Sequence, residues 1–137
     1  MNRYIKGESR EQLRIEPLCF DDMITDNNPV RAIDAIVDKM DISSLGFKYG
    51  DTKATGRKPF DPTDMFKLYA YSYFNGIRSS RKIERESHRN IEIMWLINEL
   101  KPDHKTIANF RKDNKKAIKA AFRRFTMICD ELGLISK

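Results

Sequence analysis

Residues 69–114 read YAYSYFNGIRSSRKIERESHRNIEIMWLINELKPDHKTIANFRKDN. Short apolar runs alternate there with basic and hydroxyl-bearing residues, and breaks fall at Gly76, at Arg89-Asn90 and at Lys101-Pro102-Asp103. Those breaks cut the stretch into helix-sized pieces. Ser79 or Ser80 can cap a polar piece, Arg81 to His88, whose only large apolar residue is Ile83. Asn90 can cap a second piece, Ile91 to Leu100, with Ile91, Met94, Trp95, Ile97 and Leu100 as its buried set and Pro102 as its stop. Asp103 can cap a third, from His104, carrying Ile107 and Phe110. Three short helices joined by three-residue turns form a helix-turn-helix-like unit, and Trp95 is expected in its core.

Working outward, the same periodicity extends to both sides. Asn28-Pro29 and Asp61-Pro62 each place a capping side chain before a proline, the signature of a helix start. The first opens a helix carrying Val30, Ile33, Ile36, Val37 and Met40, ended by Asp41 and Ser43-Ser44. The second opens Thr63 to Asn75, whose apolar and aromatic band is so broad that it must be buried on most sides; Gly76 stops it. After Asn114, residues Ala117, Ile118, Ala121, Phe122, Phe125, Ile128, Cys129 and Leu132 recur at helical spacing. The spacing leaves open whether Asn114 breaks this helix from the piece starting at His104. Upstream, Leu13, Ile15, Leu18 and Phe20 suggest an extended arm laid on the core. No segment has a β pattern. The expectation is an all-α single domain, residues 1–137, of five to seven helices: an arm at 1–27, core helices with a loop at 28–75, the helix-turn-helix-like region at 76–124, and the end of the last helix at 125–137.

Charge is unevenly spread. Residues 76–124 hold fourteen Lys and Arg against six Asp and Glu, whereas residues 1–75 hold eleven against twelve. The net +6 of the chain therefore belongs to the helical series, the electrostatic form of a domain that meets a phosphate backbone. Arg78, Arg81, Lys82, Arg85 and Arg89 crowd the polar piece and its ends and are expected to position DNA phosphates. Lys105, Thr106, Asn109, Arg111 and Lys112 lie on the third piece and are expected to contact DNA; Lys105, Thr106 and Asn109 in its first turns are expected to read bases. A loop at 46–62 reads as an exposed connector, with phosphate contact through Lys53, Arg57 and Lys58 as the alternative, and its glycines do not have the spacing of a nucleotide-binding loop. Tyr69, Tyr71 and Tyr73 read as core at helical spacing.

Other chemistries find little support. Cys19 and Cys129 are far apart, and with His88 and His104 they form no close pair of the kind zinc requires, so no metal and no cofactor are expected. The cysteines read as two small buried thiols in a reduced setting. No run approaches a membrane span, and Met1 to Gln12 has no apolar centre.

The series NPVRAID at 28–34, LGF at 45–47, TGRKPFDPTDMFKLYAYSYFNGIRSSRKIERESHRNIEIMWL at 55–96 and KPDHKTIANFRKDN at 101–114 resembles, in order and spacing, the amino-terminal domain of bacterial insertion-sequence transposases of the InsH-like kind. The resemblance implies a helical DNA-binding domain that recognises the terminal inverted repeats of a mobile element and helps synapsis during transposition. It implies double-stranded DNA as partner, a second copy as a candidate partner, a cytoplasmic, nucleoid-associated location, and neither membrane nor small-molecule substrate. Family members cut DNA through a separate DDE domain, two aspartates and a glutamate on a ribonuclease-H-like sheet. Nothing in these 137 residues has the strand pattern for that sheet, so no catalytic residue is expected here. A helix-turn-helix transcriptional regulator and a helical oligomerisation module are the alternatives.

Overall fold

Both proline-led starts form as expected, and they frame the rest. The computed structural model describes residues 11, 19–48 and 59–133. Within them six α-helices follow one another: α1 (Pro29–Lys39), α2 (Pro62–Phe74), α3 (Ser80–Arg89), α4 (Ile91–Leu96), α5 (His104–Asp113) and α6 (Lys115–Glu131). Two short 3-10 turns, Phe20–Met23 and Ile42–Leu45, flank α1 and its exit, and no strand occurs among the described residues. The fold is all-α. The Asn28 side chain accepts from the Val30 amide at 2.9 Å, and Asp61 from the Thr63 amide at 2.8 Å. In both helices proline occupies the first turn, where its missing donor leaves nothing unsatisfied.

α2 is the central element. Phe66, Leu68 and Ala70 are fully buried, and Met65 and Tyr71 nearly so. α1 packs on it through Val30, Ile33, Ile36 and Val37, and α4 meets both helices. α6 closes the core with aromatic edges, Phe122 against Phe66 at 5.2 Å between ring centres and Phe125 against Phe74 at 5.5 Å. The tyrosines divide: Tyr71 is buried, Tyr69 half-buried, and Tyr73 is 60% exposed. α2 ends where Gly76, at φ +71°, lets the Ile77 amide reach back to the Ser72 carbonyl at 2.8 Å and the Gly76 amide to Tyr73. A left-handed residue closes that cap, and glycine adopts it without strain.

Two polar clusters lie inside this frame. The Tyr71 hydroxyl donates to Glu92, Asn28 donates to the same carboxylate at 2.7 Å, and Asn90 donates to the tyrosine oxygen at 3.2 Å, joining the caps of α1 and α4 to α2. Burial and then the Glu92 hydrogen bond push the Tyr71 hydroxyl far above its ordinary range. On the other side Lys67, 7% exposed, is bracketed by Asp34 at 2.7 Å and Asp38 at 2.8 Å. Burial alone would lower its pKa; the two hydrogen-bonded carboxylates outweigh that and raise it.

Several expectations are corrected. α4 stops at Leu96, not Leu100. Its end is a left-handed pair, Asn98 at φ 54° and Glu99 at φ 63°, which returns the Glu99 amide to the Met94 carbonyl at 2.8 Å. Pro102 stands six residues too late to be the cause, because asparagine already tolerates the left-handed cap. Of the expected buried set Ile97 is buried, joined by Ile93 and Leu96, while Ile91, Met94, Trp95 and Leu100 are only partly buried. Trp95 thus borders the core, with its ring under the Arg31 guanidinium at 5.0 Å and its Nε1 donating to Asp21 at 3.1 Å. The turns are likewise not three residues each; Asn90 alone joins α3 to α4, and residues 97–103 join α4 to α5. Phe20 opens a 3-10 turn where an extended arm is expected, and Leu13, Ile15 and Leu18 lie outside the described residues. Of the two thiols, both free, Cys129 is buried and Cys19 is exposed.

Asn114 settles the question that spacing leaves open. It is 4% exposed and ends α5. Its side chain accepts from the Lys48 amide at 2.6 Å and donates to the Phe110 carbonyl at 3.0 Å. By bonding outside its own helix it separates α5 from α6 and ties their junction to the chain leaving the second 3-10 turn.

Candidate nucleic-acid interface

α3 has almost no apolar surface. Ile83 and Ser87 face inward, and at 3.6 residues per turn Arg81, Lys82, Arg85 and Arg89 share an arc of about 100° on the opposite face. All four are exposed. Glu86 accepts from Arg89 in an i,i+3 pair, which holds the Glu86 carboxyl below the usual carboxylate range. Arg81, Lys82 and Arg85 have no ion pair among the described residues. The acids that could have neutralised Arg81 are taken elsewhere, Glu86 by Arg89 and Glu84 by α5.

α3 packs directly on α5, and Glu84 is the clasp. Its carboxylate accepts from the His104 amide at 2.8 Å, with the His104 ring nitrogen at 3.3 Å. Asp103 caps the same helix by accepting from the Thr106 amide at 2.7 Å. A carboxylate at a helix start completes the orphan amides and complements the dipole. The His104 amide accordingly holds the Glu84 carboxyl below its ordinary range, against an opposing contribution from burial.

This clasp leaves a depression of about 440 Å³ between the first turns of α3 and α5, lined by Ser79, Ser80, Arg81, His104, Lys105, Ala108 and Asn109. It brings one of the residues expected to position phosphates, Arg81, beside two expected to read bases, Lys105 and Asn109, both exposed. Thr106 is half-buried, with its amide in the cap, and Lys112 is exposed further along α5. Arg111 turns the other way. Its guanidinium lies over the Tyr69 ring at 5.1 Å and donates to the Arg78 carbonyl at 3.3 Å, so it is held against α2 and the turn that follows it. Arg78 is exposed in that turn. Lys53, Arg57 and Lys58 lie outside the described residues. Ser79 and Ser80 read in the sequence only as caps; that they line the depression follows from the α3–α5 packing and has no sequence signal.

Lys115, Lys116, Lys119, Arg123 and Arg124 on α6 are all exposed, while Ala117, Ile118, Ala121, Phe125, Ile128 and Cys129 are buried. α6 thus buries one face, as its periodicity predicts, and shows a basic exterior. Among the described residues there is no group of three or more His, Cys, Asp or Glu arranged to hold a metal ion. No helix among them is long and apolar enough to cross a membrane.

Searches of the curated proteins and of the solved structures return no match. The family described as transposase domain (DUF772) matches residues 18–113, a span that begins before α1 and runs through the whole of α5. That span contains α3, the Glu84 clasp and the depression beside it, and covers well over half of the sequence, so this chain belongs to the transposase domain family.

Proposed function

We propose that this chain is the DNA-binding domain of an insertion-sequence transposase of the InsH-like kind, one that recognises terminal inverted repeats, helps bring two ends together and performs no strand cleavage itself. The observation that carries the reading is the convergence of Arg81, Lys105 and Asn109 on one depression between α3 and α5, flanked by Lys82 and Arg85, which have no ion pair among the described residues. Guanidinium and ammonium groups on one helix hold phosphates, and a neighbouring helix start offers an amide side chain that can pair with a base edge. In this reading α3, α4 and α5 act as the helix-turn-helix-like unit, with α5 entering the groove and α3 along the backbone. The chain works in the cytoplasm at the nucleoid, on double-stranded DNA.

A second reading, self-association, is favoured by Tyr73 and Phe74, 60% and 52% exposed at the end of α2, and would supply the contact between two bound ends.

Fluorescence anisotropy of wild type, Arg81→Ala and Asn109→Ala on end-repeat and scrambled duplexes, at several salt concentrations, tests the proposal. Arg81→Ala is expected to weaken binding equally on both and to make the salt slope shallower by about one unit. Asn109→Ala is expected to lose about 1–3 kcal/mol on the end repeat and almost nothing on scrambled DNA. No loss for either variant removes the proposed interface.

A further inference from the structure

We propose that the cavity between the end of α2, the turn at residues 77–78 and the last turns of α5 is a binding site for a phosphate-class oxyanion, filled on DNA by a backbone phosphodiester. The cavity, about 190 Å³, is lined by Tyr69, Ser72, Tyr73, Ile77, Arg78 and Arg111. The DNA form of this proposal rests on the preceding reading; the oxyanion chemistry does not.

Two polar atoms identify it. The Ser72 hydroxyl and the Arg111 Nε are buried and have no hydrogen-bond partner among the described residues, and both residues line this one cavity. Ser72 is 1% exposed. Other hydroxyls in these helices bond back to their own backbone, Ser87 to the Glu84 carbonyl at 2.7 Å and Thr126 to the Phe122 carbonyl at 2.9 Å. Ser72 does not. A buried donor left unpaired is costly and calls for a partner from outside the chain.

Charge names the partner. Two guanidinium side chains and three hydroxyl side chains line the cavity, and no carboxylate does. The half-buried cations elsewhere are neutralised: Arg31 by Asp21, Lys67 by Asp34 and Asp38. Among the described residues Arg111 has only the Tyr69 ring and one long bond to the Arg78 carbonyl, and neither it nor Arg78 has an ion pair there. A partly desolvated guanidinium with a free Nε–H, beside a free hydroxyl, offers an oxyanion its preferred donors. One water takes about 30 Å³ of liquid, so the space is generous for a single water and admits a tetrahedral oxyanion. Position fits as well. Arg78 immediately precedes Ser79, Ser80 and Arg81, which line the α3–α5 depression, so an anion here lies next along a path already basic.

The test uses the 137-residue chain with inorganic phosphate against sodium chloride at matched ionic strength. It reads the melting temperature and the Arg111 Nε–H resonance, and compares wild type with Ser72→Ala, Arg78→Gln and a charge control, Lys119→Gln. Phosphate is expected to raise the wild-type melting temperature by several degrees and to shift the Nε–H signal. Arg78→Gln, at an exposed position, and Ser72→Ala should each lose at least tenfold in apparent phosphate affinity, with Lys119→Gln unchanged. In the DNA arm the same two variants should weaken binding to end-repeat and scrambled duplexes alike. Phosphate binding lost in the variants with DNA affinity intact would overturn the phosphodiester form and leave a site for free anion. No phosphate effect beyond ionic strength, in a protein that still binds DNA, would overturn the site and leave the DNA reading standing. A wild type that binds phosphate at this cavity but not DNA would do the reverse.

Discussion

Ile83 is the residue on which the attachment of α3 depends. It is fully buried, and α3 buries no other apolar side chain; its companion Ser87 bonds only to its own helix. Complete burial of a branched aliphatic side chain is worth about 1.5–3 kcal/mol in transfer alone. Truncation to alanine adds a cavity, and the site cannot collapse freely because Glu84, one residue on, fixes α3 to the α5 amide at 2.8 Å. Ile83→Ala should therefore cost about 3–4 kcal/mol, in the middle of the range for such truncations, and Ile83→Val about 1 kcal/mol. For a domain of this size that corresponds to a fall in Tm of roughly 10 °C. Urea unfolding followed by the single tryptophan, Trp95, measures it, with an unchanged m-value as the sign that only stability has moved. A loss under about 1 kcal/mol for Ile83→Ala would refute the claim that one side chain anchors the basic helix, and with it the rigidity assumed for the α3–α5 depression.

Three other outcomes follow from the clusters around that frame. Asp34→Asn with Asp38→Asn leaves a buried ammonium without counter-charge and should destabilise by several kcal/mol, whereas Lys67→Met, which leaves two carboxylates nearer solvent, should cost much less; thermal melts of the two variants that rank the other way would contradict the assignment. Asn114→Ala removes the acceptor of the Lys48 amide and should cost about 1–3 kcal/mol by chemical denaturation, with Asn114→Asp recovering part because it keeps that acceptor. Glu84 has a folded-state pKa below the ordinary 4.5, so the stability it contributes is present above about pH 4.5 and is lost as pH falls through the lower folded value. Glu84→Gln should accordingly flatten the acid limb of a stability–pH profile, and an identical limb in both proteins would show that the clasp contributes nothing.

Local chemistry carried much of the architecture. Asn28-Pro29, Asp61-Pro62 and Gly76 set helix ends within a residue or two, because caps and left-handed turns act through neighbours in the chain. The apolar period separated α1 into a buried face and one of mixed charge and gave α6 a buried face, and the charge surplus of residues 76–124 marked α3 and α5 as basic. What depended on long-range contact was not legible. The left-handed pair Asn98-Glu99 shortened α4 and moved Trp95 to the edge of the core, where Asp21 and Arg31 meet it from 74 and 64 residues away in the chain. Asn114 broke α5 from α6 only because Lys48 was there to take its side chain. Arg81 and Arg111 look alike in a sequence. The packing of α3 and α5 leaves the first exposed and, among the described residues, without an ion pair, and holds the second over the Tyr69 ring with its Nε unpartnered among them, lining the same cavity as the buried Ser72 hydroxyl, since which face of a basic helix meets solvent is decided by the helices packed against it.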